Sequence, residues 1–283
     1  MSKALEDLID VLRPTKIDEN TYQGRTANDT YGGHFLGQAT AAALATVDDN
    51  RFIHSLHAYF LRGLRPGEAI DYVVDRVRDG RRFCTRRVTA IQGGKSAFEM
   101  IASFTFDEVG EAIQPLGPVD FDELPLPESL PTFHELMSAQ DPLPFSADWA
   151  LREHGVDVRV VNAPWSPEGP SVDDGIRMWI RADGNVPDDS RLHSAMLAYQ
   201  SDESIADNVL VPFGLTWSSP EMFFVSLDHA MWFHRPIDMN LWHFVEQQSV
   251  TAGHGRGVAS GYVWSQDRQL IASFTQEALM RKA

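Results

Sequence analysis

The sequence predicts an α+β chain of two fused halves, each an antiparallel sheet wrapped around one central helix. Three observations predict it. The pentapeptide IASFT occurs at residues 101–105 and again at 271–275. A longer echo lies upstream of each copy, SLHAYFLR from Ser55 and SLDHAMWFHR from Ser226, 46 and 45 positions before the respective isoleucines. Two echoes in register, about 170 residues apart, indicate a duplicated domain, because solenoid repeats are far shorter. Finally, each half reads as one helix followed by four strand-like runs, and such a set buries the helix only if the sheet curls around it.

The elements follow in order. MSKALEDLIDVLRP places Leu5, Leu8, Ile9 and Leu12 at helical spacing and is acidic, which fits an amphipathic helix and not a signal peptide. An opening strand is expected at 21–26. The small-residue helix at 31–47 (YGGHFLGQATAAALATV) starts at a glycine pair, and its alanines permit close contact with whatever crosses it. Strands are expected at 53–61, 70–78, 82–91 and 97–106, with DGRR and QGGK marking two of the turns. The second half repeats the order: a strand at 176–182, then a helix at 190–199 with Leu192, Ala195, Met196 and Tyr199 on one face. Strands follow at 222–232, 242–251, 257–265 and 270–280. Between the halves lie ten of the sixteen prolines, in runs such as PLGP, PLPESLP and PWSPEGP. Proline lacks a backbone donor and restricts its neighbour, so a draped connection is expected there, not a third domain. The expected units are residues 1–110, a proline-rich connection at 111–170, and residues 171–283.

At 43% apolar and 23% charged residues, 283 positions suffice for a sizeable core, and no apolar run approaches the ~20 residues that span a bilayer. The single cysteine, Cys84, excludes an internal disulfide framework and fits a reducing compartment, so a cytoplasmic location is expected. A net charge of -16 argues against nucleic-acid binding. Arginines are nonetheless clustered: Arg62, Arg65, Arg76, Arg78, Arg81, Arg82, Arg86 and Arg87 fall within 26 residues, and arginine outnumbers lysine 20 to 4. These are either solvated faces paired with Asp71, Asp75 and Asp79, or an anchor for an anionic ligand.

Several chemistries lack their residues. There is no G-x-S-x-G elbow, no H-E-x-x-H and no cysteine pair, and GGKS at 93–96 lacks the earlier glycine of a phosphate loop. His54 and His57 fall on opposite faces of a strand, so no metal site is expected. Three polar residues have odd positions. Asp202 follows the second helix, Ser226 alternates with Phe224 and Asp228, and Gln276 shares an apolar face with Ala272 and Phe274. An inward glutamine left unbonded costs about 1–3 kcal/mol. The matched residue in the first half is Phe106.

With these blocks in hand (YGGHFLGQA, HSLHAYFLRGLRPG, RDGRRFCTRRVTAIQGGKSAFEMIASF, LAYQSD, SLDHAMWFHRP and IASFTQEALMR), the chain resembles the type II acyl-CoA thioesterases over nearly its whole length. The resemblance implies a double hotdog fold and hydrolysis of fatty acyl-CoA, without a cofactor. It also implies a catalytic trio that holds the attacking water, here Asp202, Ser226 and Gln276, with serine in place of the threonine of other members. Asp202 is the expected general base, since it alone of the three can accept a proton. Coenzyme A phosphates give the arginine cluster a candidate role, for which Arg62, Arg65, Arg86 and Arg87 are named. A homo-oligomer is expected. Two rivals remain, a non-catalytic acyl-CoA-binding module and an enoyl-CoA hydratase. The hydratase expects a histidine soon after the aspartate, and ESIADNVLVP supplies none.

Overall fold

The computed structural model describes residues 2–26, 30–106, 108, 110–114, 117, 120–141, 143, 146–163, 175–215, 219 and 222–282. Helix α1 (Lys3–Val11) starts where the Ser2 hydroxyl accepts the Leu5 N–H, and it buries Leu5, Leu8 and Ile9. Short strands β1 (Thr15–Lys16) and β2 (Thr21–Gly24) precede α2 (Gly32–Leu44). Strands β3 (Phe52–Phe60), β4 (Ile70–Asp79), β5 (Cys84–Gln92) and β6 (Lys95–Thr105) complete the first half. Next come two 3-10 turns, the short helices α3 (Phe133–Ser138) and α4 (Ala147–Ala150), then β7 (Val156–Asn162), β8 (Ile176–Ala182) and α5 (Ser190–Ser201). Strands β9 (Met222–Ser226), β10 (Asp228–Phe233), β11 (His243–Gly253), β12 (Arg256–Ser265) and β13 (Leu270–Lys282) follow.

Among the described residues the strands form one antiparallel sheet, ordered β1-β2-β4-β5-β6-β3-β10-β13-β12-β11-β8-β7, with β9 also on β13. The order is mirrored about its middle. β2-β4-β5-β6-β3 on one side matches β8-β11-β12-β13-β10 on the other, and β3 pairs β10 through Leu56↔Met231 and Tyr59↔Asp228. This is the duplicated arrangement expected from the IASFT repeat; the upstream echo is not in structural register, because Ser55 pairs Ser103 whereas Trp232, not Ser226, pairs the matching Ser273. Helices α2 and α5 lie against each other inside the curl of the sheet. Their approach is close because α2 carries glycine there. A Cβ on Gly33 would sit 2.3 Å from the Tyr199 carbonyl, and one on Gly37 3.0 Å from Tyr199 Cβ. No helix among the described residues is long and apolar enough to cross a membrane.

Two expectations need correction. The run at 222–232 is two strands, not one. β9 pairs β13 as Ser226↔Ala278, whereas β10 pairs it as Ala230↔Thr275, so the register slips by one residue at Leu227. The bulged backbone stays satisfied: the Leu227 N–H donates to Glu277 O at 2.8 Å, and its carbonyl accepts the Phe60 N–H at 2.9 Å. An extra residue in a strand reverses the facing of everything after it. Ser226 and His229 therefore turn toward the interior, and Asp228 does not share the face of Ser226.

The stretch at 111–170 is also more than a connection. Val156, Val158 and Val160 alternate inward, and β7 forms the far edge of the sheet on β8. Upstream of it, the chain covers a buried aromatic cluster of Trp179, Trp242, Phe244 and Trp264 on that sheet, with Phe121, Leu124 and Leu130 packed against it. The indole N–H of Trp179 donates to Pro125 O at 3.1 Å and that of Trp242 to Glu128 Oε1 at 2.8 Å. The PWSPEGP run at 164–170 lies outside the described residues, as does most of PLGP.

Candidate active site

A cavity of about 820 Å³ opens where the halves meet. The first half contributes Tyr31, Gly32, Phe35 and Phe60 to its wall, and the second contributes Asp202, Phe224 and Ser226. The volume falls within the usual range for small-molecule sites.

Helix α5 delivers Asp202. The helix starts with Asp189 accepting the Arg191 and Leu192 N–H groups and ends with Asp202 as its C-terminal cap. The carboxyl is only 6% exposed. It sits against the N-terminus of α2, from the other half, where a Cβ on Gly32 would lie 2.5 Å from Asp202 Oδ2. Glycine is required there because any side chain would occupy the space of the carboxylate. Burial pushes the Asp202 carboxyl up to about 7. Hydrogen bonds from the Gln276 side chain and the Gly33 N–H pull the other way, and the Glu203 charge adds to the rise. A carboxyl poised near neutrality suits a general base.

Strand β13 delivers Gln276, which is 0% exposed. Its amide Nε2 donates to Ser226 Oγ at 2.8 Å, and its Oε1 accepts from His229 Nδ1 at 2.5 Å. With the amide in this orientation Nδ1 holds the hydrogen, and Nε2 lies 3.0 Å from the Ser201 hydroxyl, which donates to Ala198 O at 2.9 Å. Burial lowers the pKa of His229 to about 4, which keeps the ring neutral. A chain of contacts Ser201–His229–Gln276–Ser226 thus links α5 to the cavity wall through the buried amide. Ser226, with its oxygen already accepting, has its own proton available to a ligand.

The three trio residues expected from the sequence are therefore brought together. The four arginines are not. Arg62 lines the cavity and donates to Ser96 O. Arg65 and Arg87 are more than half exposed and face Glu68 at 3.6 Å and Asp75 at 3.2 Å. Arg86 is a correction. It is 1% exposed, with Nε donating to Thr46 Oγ1 at 2.8 Å and Nη2 to Asp79 Oδ1 at 2.5 Å, so it is a core residue with no surface to offer a ligand. Sequence reasoning missed His229 and Ser201. His229 lies in the quoted SLDHAMWFHRP block, but an unbroken strand would have faced it away from Ser226.

Comparison with known proteins agrees with this geometry. A family model for acyl-CoA thioesterase matches residues 147–279, and one for the acyl-CoA thioesterase N-terminal domain matches 22–105. Acyl-CoA thioesterase 2 of Haemophilus influenzae is 33% identical over 295 residues, 99% of each chain. Acyl-coenzyme A thioesterase 8 of Mus musculus is 32% identical over 96% of this chain and 88% of its own. The crystal structure of an acyl-CoA thioesterase II from Mycobacterium marinum superposes with a TM-score of 0.79 at 33% identity, covering 99% of this chain and 98% of that one. A hot dog fold protein from Alicyclobacillus acidocaldarius, 18% identical, superposes over both whole chains with a TM-score of 0.78. Two matched domain models, full-length relatives and the shared fold agree: the chain belongs to the type II acyl-CoA thioesterases, thioester hydrolases with a double hotdog fold.

Proposed function

We propose that the chain hydrolyses fatty acyl-CoA to free fatty acid and coenzyme A, with Asp202, Ser226 and Gln276 fixing and activating the attacking water. The observation that carries this reading is that Asp202 and Ser226 line one cavity while Gln276, buried behind its wall, bonds Ser226. The amide of Gln276 is locked toward Ser226, and the Asp202 carboxyl beside it has a pKa of about 7. Water bound among them gives its proton to Asp202 as its oxygen attacks the thioester carbonyl carbon. The tetrahedral adduct then collapses with cleavage of the C–S bond. The thiol leaves as a weakly basic anion, since a free thiol has a pKa of about 8.5, and takes up the proton that Asp202 accepted. With the Gly33 N–H bonding Asp202 and the His34 N–H donating to Tyr31 O, the Gly32 N–H at the start of α2 is the amide suited to meet the oxyanion, because helix N-termini favour negative charge.

Arg62 is the arginine whose position supports a role in binding the coenzyme. The trio, and with it the chemistry, belongs to the second half, while the first half supplies the opposite wall. A homo-oligomer belongs to the same reading: Tyr59, Ile101 and Trp232 are exposed on the outer face of the sheet around the β3–β10 seam, and association would cover them. The one cysteine, buried and free, fits a cytoplasmic location. The test is release of coenzyme A thiol from a series of acyl-CoA esters. Free thiol with free acid is the expected product; hydration of an enoyl-CoA, or binding without release, would overturn the proposal.

A further inference from the structure

The start of α2 is held by side chains outside the water-holding trio. Its first two residues are Gly32 and Gly33, and the tight space beside Asp202 and the Tyr199 carbonyl requires both. Two glycines in succession also leave the backbone free to turn. The peptide that matters most joins Tyr31 to Gly32, since its N–H is the amide suited to meet the oxyanion. Beside it, the buried Asp202 Oδ1 in the cavity wall has no hydrogen-bond partner among the described residues, which marks where the reacting atoms sit. Something other than the glycines must fix this peptide.

His34 does so through two hydrogen bonds. Its N–H donates to Tyr31 O at 3.0 Å, and its Nδ1 accepts the Tyr31 N–H at 3.3 Å. A peptide is planar and trans, so pinning the Tyr31 carbonyl on one edge aims the Gly32 N–H the opposite way. The second bond holds Tyr31 extended, at φ -124° and ψ -177°, and that ψ sets the plane of the peptide that follows. The His34 ring is itself buried, edge-on to Tyr31 and Tyr199 with centroids 5.2 and 5.1 Å away. Burial lowers its pKa to about 4, so the ring is neutral and Nδ1 keeps the lone pair that accepts. The Tyr31 hydroxyl in turn donates to Tyr199 O at 3.2 Å, in the last turn of α5, which ties this end of α2 to the helix that delivers the base.

We infer that His34 is a positioning residue for the hydrolysis: by accepting the Tyr31 N–H it aims the Gly32 N–H at the oxyanion. It does not line the cavity and acts only through that peptide. The inference rests on the thioesterase reading above and adds to it the group that holds the oxyanion donor. A loosened peptide still admits substrate but meets the oxyanion less well, so the loss belongs in kcat and not in KM.

The experiment measures kcat and KM for thiol release from an acyl-CoA, with the pH profile alongside. His34→Leu fills much of the space of the ring without an acceptor, and should lower kcat about tenfold with KM within about twofold of wild type. His34→Gln should recover most of the rate, because a glutamine at the third helical position can accept the N–H of the residue before the helix. The bend of the pH profile near 7 should stay in place in both variants, since the base is untouched. His34→Ala gives the same reading as leucine by removing atoms only, should leucine not be accommodated. The inference is overturned if kcat survives the loss of the acceptor, if His34→Gln is no faster than His34→Leu or His34→Ala, if the loss appears in KM, or if the bend moves. Absence of thiol release from the wild-type protein would instead bring down the hydrolase reading, and the inference with it, so the two failures are told apart.

Discussion

The two halves put very different pairs of side chains at one matched place. Phe52 pairs with Thr105 on the β3–β6 ladder and Ala230 with Thr275 on the β10–β13 ladder. One step further along, Arg51 faces Phe106 and His229 faces Gln276. In the first half the Arg51 guanidinium lies 4.1 Å from the centroid of the Phe106 ring and donates to Arg82 O and Gly80 O, both at 3.0 Å, so the pair fastens the β4–β5 hairpin. In the second half the equivalent pair is a histidine bonded to a glutamine that reaches Ser226 in the cavity wall. The ladder is the same and the outcome differs. Duplication kept the scaffold, and the second copy carries at this ladder position a buried polar pair that reaches the cavity wall through Ser226.

The largest expected effect comes from removing the base. Asp202→Asn keeps the shape but not the proton acceptance, so kcat should fall at least about 100-fold with little change in KM. The same variant should be more heat-stable. Asp202 titrates at about 7 in the fold against about 3.9 in an unfolded chain. Between those values the folded state holds a proton that the unfolded state has released, so wild-type stability declines as pH rises through that window. Asparagine lacks this loss. The melting-temperature gain should grow from pH 4 to about pH 7 and then level off; a gain that shrinks with rising pH would contradict the assignment.

Next in size is Gln276→Phe, which gives the second half the residue of the first. It should lower kcat by about 10- to 100-fold, because Ser226 and Asp202 lose their shared donor. Turnover close to wild type would make the two ladder positions functionally alike. His229→Ala should cost about 10-fold in kcat, since the amide of Gln276 would no longer be held in one orientation. His229→Asn, which can still donate to Gln276 Oε1, should recover part of the rate, and equal losses in both variants would reduce His229 to packing.

Much of this arrangement is legible in the chain. The apolar alternation around Gln276 shows it facing inward, and the repeats show that its counterpart is Phe106. The slip at Leu227 is not legible, because a bulge depends on what the partner strand offers and not on the residues of the bulged strand alone. Without it, His229 falls on the wrong face, so its link to Gln276 has no trace in the pattern. Arg86 is a different case. It alternates with Cys84, Val88 and Ala90, all buried, so its burial is encoded in the strand period, but the density of neighbouring arginines points toward the surface instead. In β7 the alternating valines are visible, but the prolines on either side obscure them.

The smallest effect separates the arginines. Arg62→Ala should raise KM for acyl-CoA about two- to fivefold at low salt, and less as salt increases or when the thioester lacks the nucleotide. Arg86→Ala should instead lower the melting temperature, because Asp79 and the Thr46 hydroxyl would lose their buried donor.

The central claim is that a buried Asp202 with its pKa near neutrality takes the proton from the attacking water. The pH dependence of kcat/KM for an acyl-CoA hydrolysed by the wild-type enzyme tests it most directly, since that profile reports the free enzyme. The account predicts a rate that rises about tenfold per pH unit below the turning point, bends near pH 7 and is flat above it, with the bend absent from the residual activity of Asp202→Asn. A profile already flat from pH 5 upward, or a bend near 7 that persists in Asp202→Asn, would contradict it.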